Sequence, residues 1–153
     1  MFNKNYEAKV QAVPWYMLWN DGNNDKVTFF LRDDAKASFR AECTSIIADD
    51  KWHFVVGVAD ASKGKSSIWI DGKKEAEADF NKNSGYGTSE GIVAFGRHWT
   101  RWTKGIIDDV GLFNVALTAD DIKTIMDAGL GGVSTAVSTR NKLAITWGEI
   151  RKR

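Results

Sequence analysis

The sequence has almost no cysteine, almost no proline and almost no net charge. Its single thiol, Cys43, has no second sulfur for an internal disulfide and cannot build a cysteine-based zinc site. Twenty-one basic side chains nearly cancel 20 acidic ones, leaving a formal net charge of +1. That balance argues against a chain held to nucleic acid or to a membrane by bulk electrostatics. The longest apolar runs, such as Val13 to Trp19, fall far short of the roughly 20 residues of a membrane span. The start, Met1 to Glu7, carries no apolar signal core. Only two histidines, His53 and His98, are available for imidazole chemistry.

What is present describes an ordinary folded domain with an unusual aromatic load. Hydrophobic residues make up 43% and charged ones 27%, which excludes disorder. A chain of 153 residues suits one domain, which buries roughly 68–70% of its unfolded surface. Seven Trp and fourteen Gly stand out. Trp supplies flat amphipathic surface, useful both in a core and at a binding face.

Short β-type runs separated by turn residues dominate the chain. Tyr6–Gln11, Pro14–Trp19, Lys26–Arg32 and Ala37–Cys43 read as strands rich in aromatic or β-branched residues. Asn20 to Asp25 is a turn cluster, and Pro14 sits at a strand start, where a missing N–H is tolerated. In Lys51–Asp60, Trp52, Phe54, Val56 and Val58 alternate onto one face while the other is also apolar, as in a central strand. Lys65–Asp71 and Lys73–Phe80 flank Asp71-Gly72, the pair preferred in a type I′ hairpin turn. Gly91–Gly96 and Gly105–Val115 are two further strands. Thr118 and Asp121 form a capping-box pair for one helix, with Leu117 and Ile122 at the staple positions. Its apolar stripe is Ile122, Ile125 and Met126, and Gly129 closes it. Gly131 to Asn141 reads as a linker, and Leu143, Ile145 and Trp147 alternate in a last candidate strand before a basic end. The pattern predicts an all-β, two-sheet antiparallel sandwich or jelly roll with one short C-terminal helix.

Four motifs in order carry a family resemblance. Asp50 to Val58 resembles the "W-H-hydrophobic-V" strand of laminin G-like domains in the concanavalin A-like lectin/glucanase group. Ser67 to Lys73 resembles their "L-Y-V-D-G-K" hairpin, Ile92 to Arg97 their "L-Y-I-G-R" strand, and Gly105 to Thr118 their "G-x-I-D-E-V-R-I-Y-N-R-A-L-S" segment. Two departures stand out. The family's basic position in the last motif is Gly111 here, and its opening "F-D-G" and "T-V-S-A-W-V" strands are not found before Tyr6. The expectation is therefore a sandwich over residues 1–130 lacking its first strands, followed by an extension over 131–153. Either Lys142–Ile150 or a second copy of the chain fills the gap, since missing strands leave sheet edges open.

The resemblance brings glycoside hydrolases into view, so paired carboxylates come first. Hydrolysis needs two carboxyl groups about 5–9.5 Å apart, which within one strand means residues i and i+2. The pairs Asp33-Asp34, Asp49-Asp50, Asp108-Asp109 and Asp120-Asp121 are consecutive and fail that test on a strand. Glu75, Glu77 and Asp79 share a face but read as a solvated strand face, and the hydrolases' "E-x-D-x-x-E" pattern is nowhere present. Neither histidine stands beside a nucleophile, so His53 reads as structural and Cys43 as a small buried hydrophobe. Asp108 alternates onto an apolar face with Ile106, Val110 and Leu112, where a carboxylate must be hydrogen-bonded or hold a cation. Calcium is the cofactor that the resemblance implies at such a rim. Hydrogen bonding is the favoured reading, because one carboxylate is too little for a calcium site.

The sharpest candidate for binding is the segment Gly96 to Gly105. It interleaves Trp99 and Trp102 with Arg97, His98, Arg101 and Lys104 between two recognised strands. Indoles stack on sugar faces, and guanidinium groups fork onto carboxylate or sulfate. The competing reading folds one or both indoles back over the core edge. A second aromatic cluster places Trp15 and Trp19 on one face and Tyr16 on the other. Trp52 and Trp69 are assigned to the framework.

The sequence thus points to a non-catalytic carbohydrate-binding or adhesion-type module, with an acidic glycan as the class of ligand. The resemblance implies a secreted or surface-exposed longer protein. The alternative is a protein-interaction or self-assembly module, a homo-oligomer through its exposed sheet edges. A remnant glycoside hydrolase using Glu75 and Glu77 ranks last. Neither nucleic acid nor membrane insertion is expected.

Overall fold

The computed structural model describes residues 2–4, 15–19, 25–86, 93–98 and 101–132. The chain divides into two units, Met1–Ile107 and Asp108–Arg153. In the first, a five-stranded antiparallel sheet is built from β1 (Phe2–Lys4), β2 (Trp15–Trp19), β3 (Thr28–Arg32), β4 (Ser38–Glu42) and β8 (Val93–Phe95). Their order is β4-β3-β2-β1-β8. A three-stranded sheet, β5 (Val55–Asp60), β6 (Lys65–Ile70) and β7 (Lys73–Asp79), runs in the order β5-β6-β7.

The two inner faces make the core. Phe29 and Leu31 on β3 alternate inward, as does Ala41 on β4, and they meet Ile68 and Ile70 of β6 together with Phe80. Ile68 has no exposed surface at all. The ring of Phe80 stands edge-on to Phe39 and to Tyr86, with centroids 6.5 and 5.4 Å away. Gly57 lets β5 close on this core: a Cβ added there would lie 2.4 Å from Phe29 Cδ2. Cys43 is buried, its sulfur accepting from the Val27 N–H and its thiol donating to the Ser45 carbonyl. It behaves as the small interior residue the sequence indicated.

Turn chemistry fixes the connections. Asp71 and Gly72 both adopt positive φ, 50° and 78°, as a type I′ turn requires. Between β3 and β4, the buried Asp33 accepts from the Ala37 N–H at 2.7 Å and holds a tight return. In the second unit, α1 (Ala119–Ala128) begins with the expected capping box. Thr118 Oγ1 accepts from the Asp121 N–H, and Asp121 Oδ2 accepts from the Thr118 N–H at 2.9 Å. Gly129 ends the helix with φ 71°. Ile122 and Ile125 are buried, but Met126, assigned to the same stripe, keeps 37% of its surface exposed. A 3₁₀ turn, Leu130–Gly132, follows.

Three expectations are corrected. The strand placed at Lys51–Asp60 starts only at Val55, because Asp50 turns through φ 61° and the Phe54 N–H is taken by Asp71 Oδ1. Among the described residues that strand is the edge of its sheet, not its centre. Gly105–Val115 forms no strand: Asp109 adopts φ 48°, which breaks an extended run, and Ile106, Val110 and Leu112 are exposed. Conversely, Phe2–Lys4 forms a strand that the sequence did not announce. The expected strand at Tyr6–Gln11 and the alternation at Leu143–Trp147 lie outside the described residues.

Candidate functional site

Directly after β8 the chain turns at Gly96, whose φ of 68° suits glycine, and enters a small hairpin. β9 (Arg97–His98) pairs antiparallel with β10 (Arg101–Trp102), with Trp102 opposite Arg97 and Arg101 opposite His98. The Thr103 N–H donates to the Gly96 carbonyl at 2.8 Å and closes the hairpin at its base. Sequence reading placed a loop here, and a two-residue ladder is too short to show any periodicity.

Cross-strand register brings the key pair together, since directly opposed residues share a face. The Arg97 guanidinium carbon lies 5.0 Å from the Trp102 ring centroid, a cation–π contact. Trp102 nevertheless keeps 67% of its surface exposed, and Arg97 and Lys104 are exposed beside it. Trp102 therefore does not fold back over the core. The guanidinium is held over the ring, and the indole presents a flat apolar face. Such a pair can stack a sugar ring and fork onto an acidic substituent of it. Trp99 lies outside the described residues, and of His98 and Arg101 only the backbone pairing is described.

The carboxylates considered for hydrolysis are engaged elsewhere. A β-bulge opposite Ile68 and Trp69 leaves Glu75 as the extra residue of β7. Its carboxylate accepts from the N–H groups of Thr44 and Ser45 at 2.8 and 2.9 Å and from both hydroxyls. Burial works against this charge, but the Ser45 and Thr44 donors outweigh it and hold the Glu75 carboxyl down to about 2. Glu77 is paired with Lys74 at 2.9 Å, and Asp79 with Lys65 at 2.7 Å. Glu75 is thus a brace between β7 and the loop after β4.

His53 is likewise a brace. Its Nδ1 meets Asp71 Oδ2 at 2.8 Å and its Nε2 meets Asp49 Oδ1 at 2.9 Å. Hydrogen bonds to Asp71 and then Asp49 raise its pKa. Trp52, assigned to the framework, is instead 67% exposed, because the strand begins after it. Nothing in the alternation 52, 54, 56, 58 could reveal this; the turn at Asp50 decides it. Trp69 is half-buried and donates to Ser67 Oγ at 2.9 Å, a framework role. Only the backbone of Trp15, Tyr16 and Trp19 is described.

Asp108 is exposed, and its Oδ1 accepts from the Asp109 N–H at 2.9 Å. Among the described residues no three His, Cys, Asp or Glu side chains gather to hold a metal ion. Asp108 therefore offers a single carboxylate, engaged by the next residue's backbone. Gly111, where the family motif carries a basic residue, has a local reason: a Cβ there would lie 2.8 Å from Leu130 Cδ2.

No helix among the described residues is long and apolar enough to cross a membrane. Neither a curated protein nor a solved structure matches the chain. The laminin G-type family model, described as "Concanavalin A-like lectin/glucanases superfamily", matches residues 2–123.

Proposed function

Because this chain belongs to the concanavalin A-like lectin/glucanase superfamily, we propose that it is a non-catalytic carbohydrate-binding or adhesion-type module holding an acidic glycan on the β9–β10 hairpin. The family assignment fits the coarser statement, a carbohydrate-binding or adhesion domain. The observation that carries the finer one is the Arg97–Trp102 pair, stacked at 5.0 Å yet with Trp102 67% exposed. A buried cap over the core would hide the indole, and a solvated surface loop has no reason to carry one.

In this reading Trp102 supplies the stacking platform and Arg97 the charge. Arg97 is already ordered over the ring, so less rotamer freedom is lost on binding. His98 and Arg101 pair on the same hairpin and Trp99 lies between them in sequence; in this reading they complete the site, and Lys104 adds charge at its base. The protein would act outside the cell or at its surface, where acidic polysaccharides occur.

A glycan array of neutral, uronic-acid-bearing and sulfated sugars tests this with wild type, Arg97→Ala, Trp102→Ala and Trp99→Ala. Binding to acidic glycans that is weakened by each substitution and survives chelation of calcium supports the reading. No glycan bound by the folded protein, or binding indifferent to both Arg97 and Trp102, refutes it.

A further inference from the structure

His53 stands between two carboxylates from different parts of the fold. Its Nδ1 lies 2.8 Å from Oδ2 of Asp71, on the turn between β6 and β7. Its Nε2 lies 2.9 Å from Oδ1 of Asp49, four residues earlier in the chain. The imidazole is only 15% exposed, so water does not freely replace either contact. An ionised carboxylate only accepts hydrogen bonds, whereas a neutral imidazole has one N–H and one bare nitrogen. Both contacts are therefore hydrogen bonds only while the ring is an imidazolium. Asp49 does not supply the missing proton, because Lys51 and then His53 hold its carboxyl below the usual carboxylate range.

The two contacts are unequally braced. Asp71 is tied to Phe54 twice more: its Oδ1 accepts from the Phe54 N–H, and its own N–H donates to the Phe54 carbonyl, each at 2.8 Å. Asp49 otherwise holds Lys51 of its own segment, through the N–H at 3.2 Å and the ammonium at 2.8 Å. Residues 49–52 belong to no strand or helix, and Asp50 turns among them at φ 61°. They carry the exposed indole of Trp52. We propose that His53 is a proton latch on this segment. Protonated, it ties Asp49 to the β6–β7 turn; neutral, it keeps its Nδ1–H on Asp71, lets Asp49 go and frees the loop that presents Trp52.

The charged groups around the ring set the sign. Asp71 and then Asp49 favour the imidazolium and raise its pKa above the ordinary value of 6.5. Lys51 faces Asp49 rather than the ring. The latch is thus closed below the folded pKa and opens as pH rises through it. Once the proton leaves, Nε2 turns a lone pair toward an anion 2.9 Å away, and that repulsion drives the opening. The inference is independent of the sugar-binding reading.

Nitrogen NMR of the imidazole and of the backbone, followed across the His53 titration, tests this. Nε2 is expected to lose its proton while Nδ1 keeps its own. Heteronuclear NOE values of residues 50–52 are expected to fall along the same curve, while those of Phe54 and Asp71 hold. In Asp49→Asn the His53 titration is expected to move about one unit lower, and the order of residues 50–52 no longer follows it. His53→Gln assigns the ring signals against His98, the other histidine. A neutral ring that keeps Nε2–H instead overturns the proposal, as does unchanged order of residues 50–52 across the titration. Loosening that persists in Asp49→Asn at the His53 titration also overturns it.

Discussion

The ring of Phe29 occupies the space that a side chain on Gly57 would need, 2.4 Å from its ideal Cβ position. Phe29 is itself buried between the sheets, so it has little room to retreat. Gly57→Ala is therefore expected to cost about 1–3 kcal/mol through overpacking. Urea denaturation measures it, and a variant as stable as wild type would show that β5 does not close on the core in this way.

Glu75 gives the fold an acid-sensitive brace. A carboxylate held down to about 2 contributes stability that is full above its unfolded value near 4.5 and is lost as pH falls through about 2. Glu75→Gln is expected to be less stable than wild type at pH 7. The gap between the two melting temperatures should close between pH 4.5 and 2. A gap that stays constant over that window would mean that the charge is not what Thr44 and Ser45 hold.

His53 has the opposite sign. Its pKa is raised by Asp71 and Asp49, so its contribution is full below about 6.5 and is lost as pH rises through the higher folded value. His53→Gln should therefore cost more at pH 6 than at pH 9. Melting curves of both proteins across that range check it, and a larger cost at pH 9 would contradict the Asp49–His53–Asp71 arrangement.

Trp52 tests the correction to the β5 boundary. With 67% of its surface exposed, Trp52→Ala should change stability by no more than about 0.5 kcal/mol. Ile68→Ala, at a position with no exposed surface, should cost about 2–5 kcal/mol. Similar costs at the two positions would restore Trp52 to the core.

The legible parts of this fold are those that local chemistry decides. Asp71-Gly72 needs only its own φ preferences to turn, and Thr118 with Asp121 needs only a three-residue spacing to cap a helix. β3, β6 and β7 were legible because their alternation or turn residues fall within one short run. The unread parts depend on residues far apart in sequence. Glu75 leaves its expected face through a bulge against β6 and finds Thr44 and Ser45 some thirty positions earlier. The segment from Ile106 to Val115 carries a strand-like pattern, but Asp109 adopts a left-handed φ that residue type alone does not dictate. The binding candidate was legible as composition, two Trp among basic residues. Its Arg97–Trp102 contact was not, since a two-residue ladder leaves no period to read.

The central claim is that Arg97 and Trp102 bind an acidic glycan as a unit. Calorimetric titration with the best acidic glycan from the array, on wild type, Arg97→Ala, Trp102→Ala and the double variant, tests it most directly. Losing a desolvated stacking or charge contact is expected to weaken binding at least about tenfold for each single variant. The double variant should lose less than the sum of the two, because the guanidinium and the indole act on each other. Melting temperatures should not move, since both side chains are exposed. Unchanged affinity in both single variants, with the fold intact, would contradict the account.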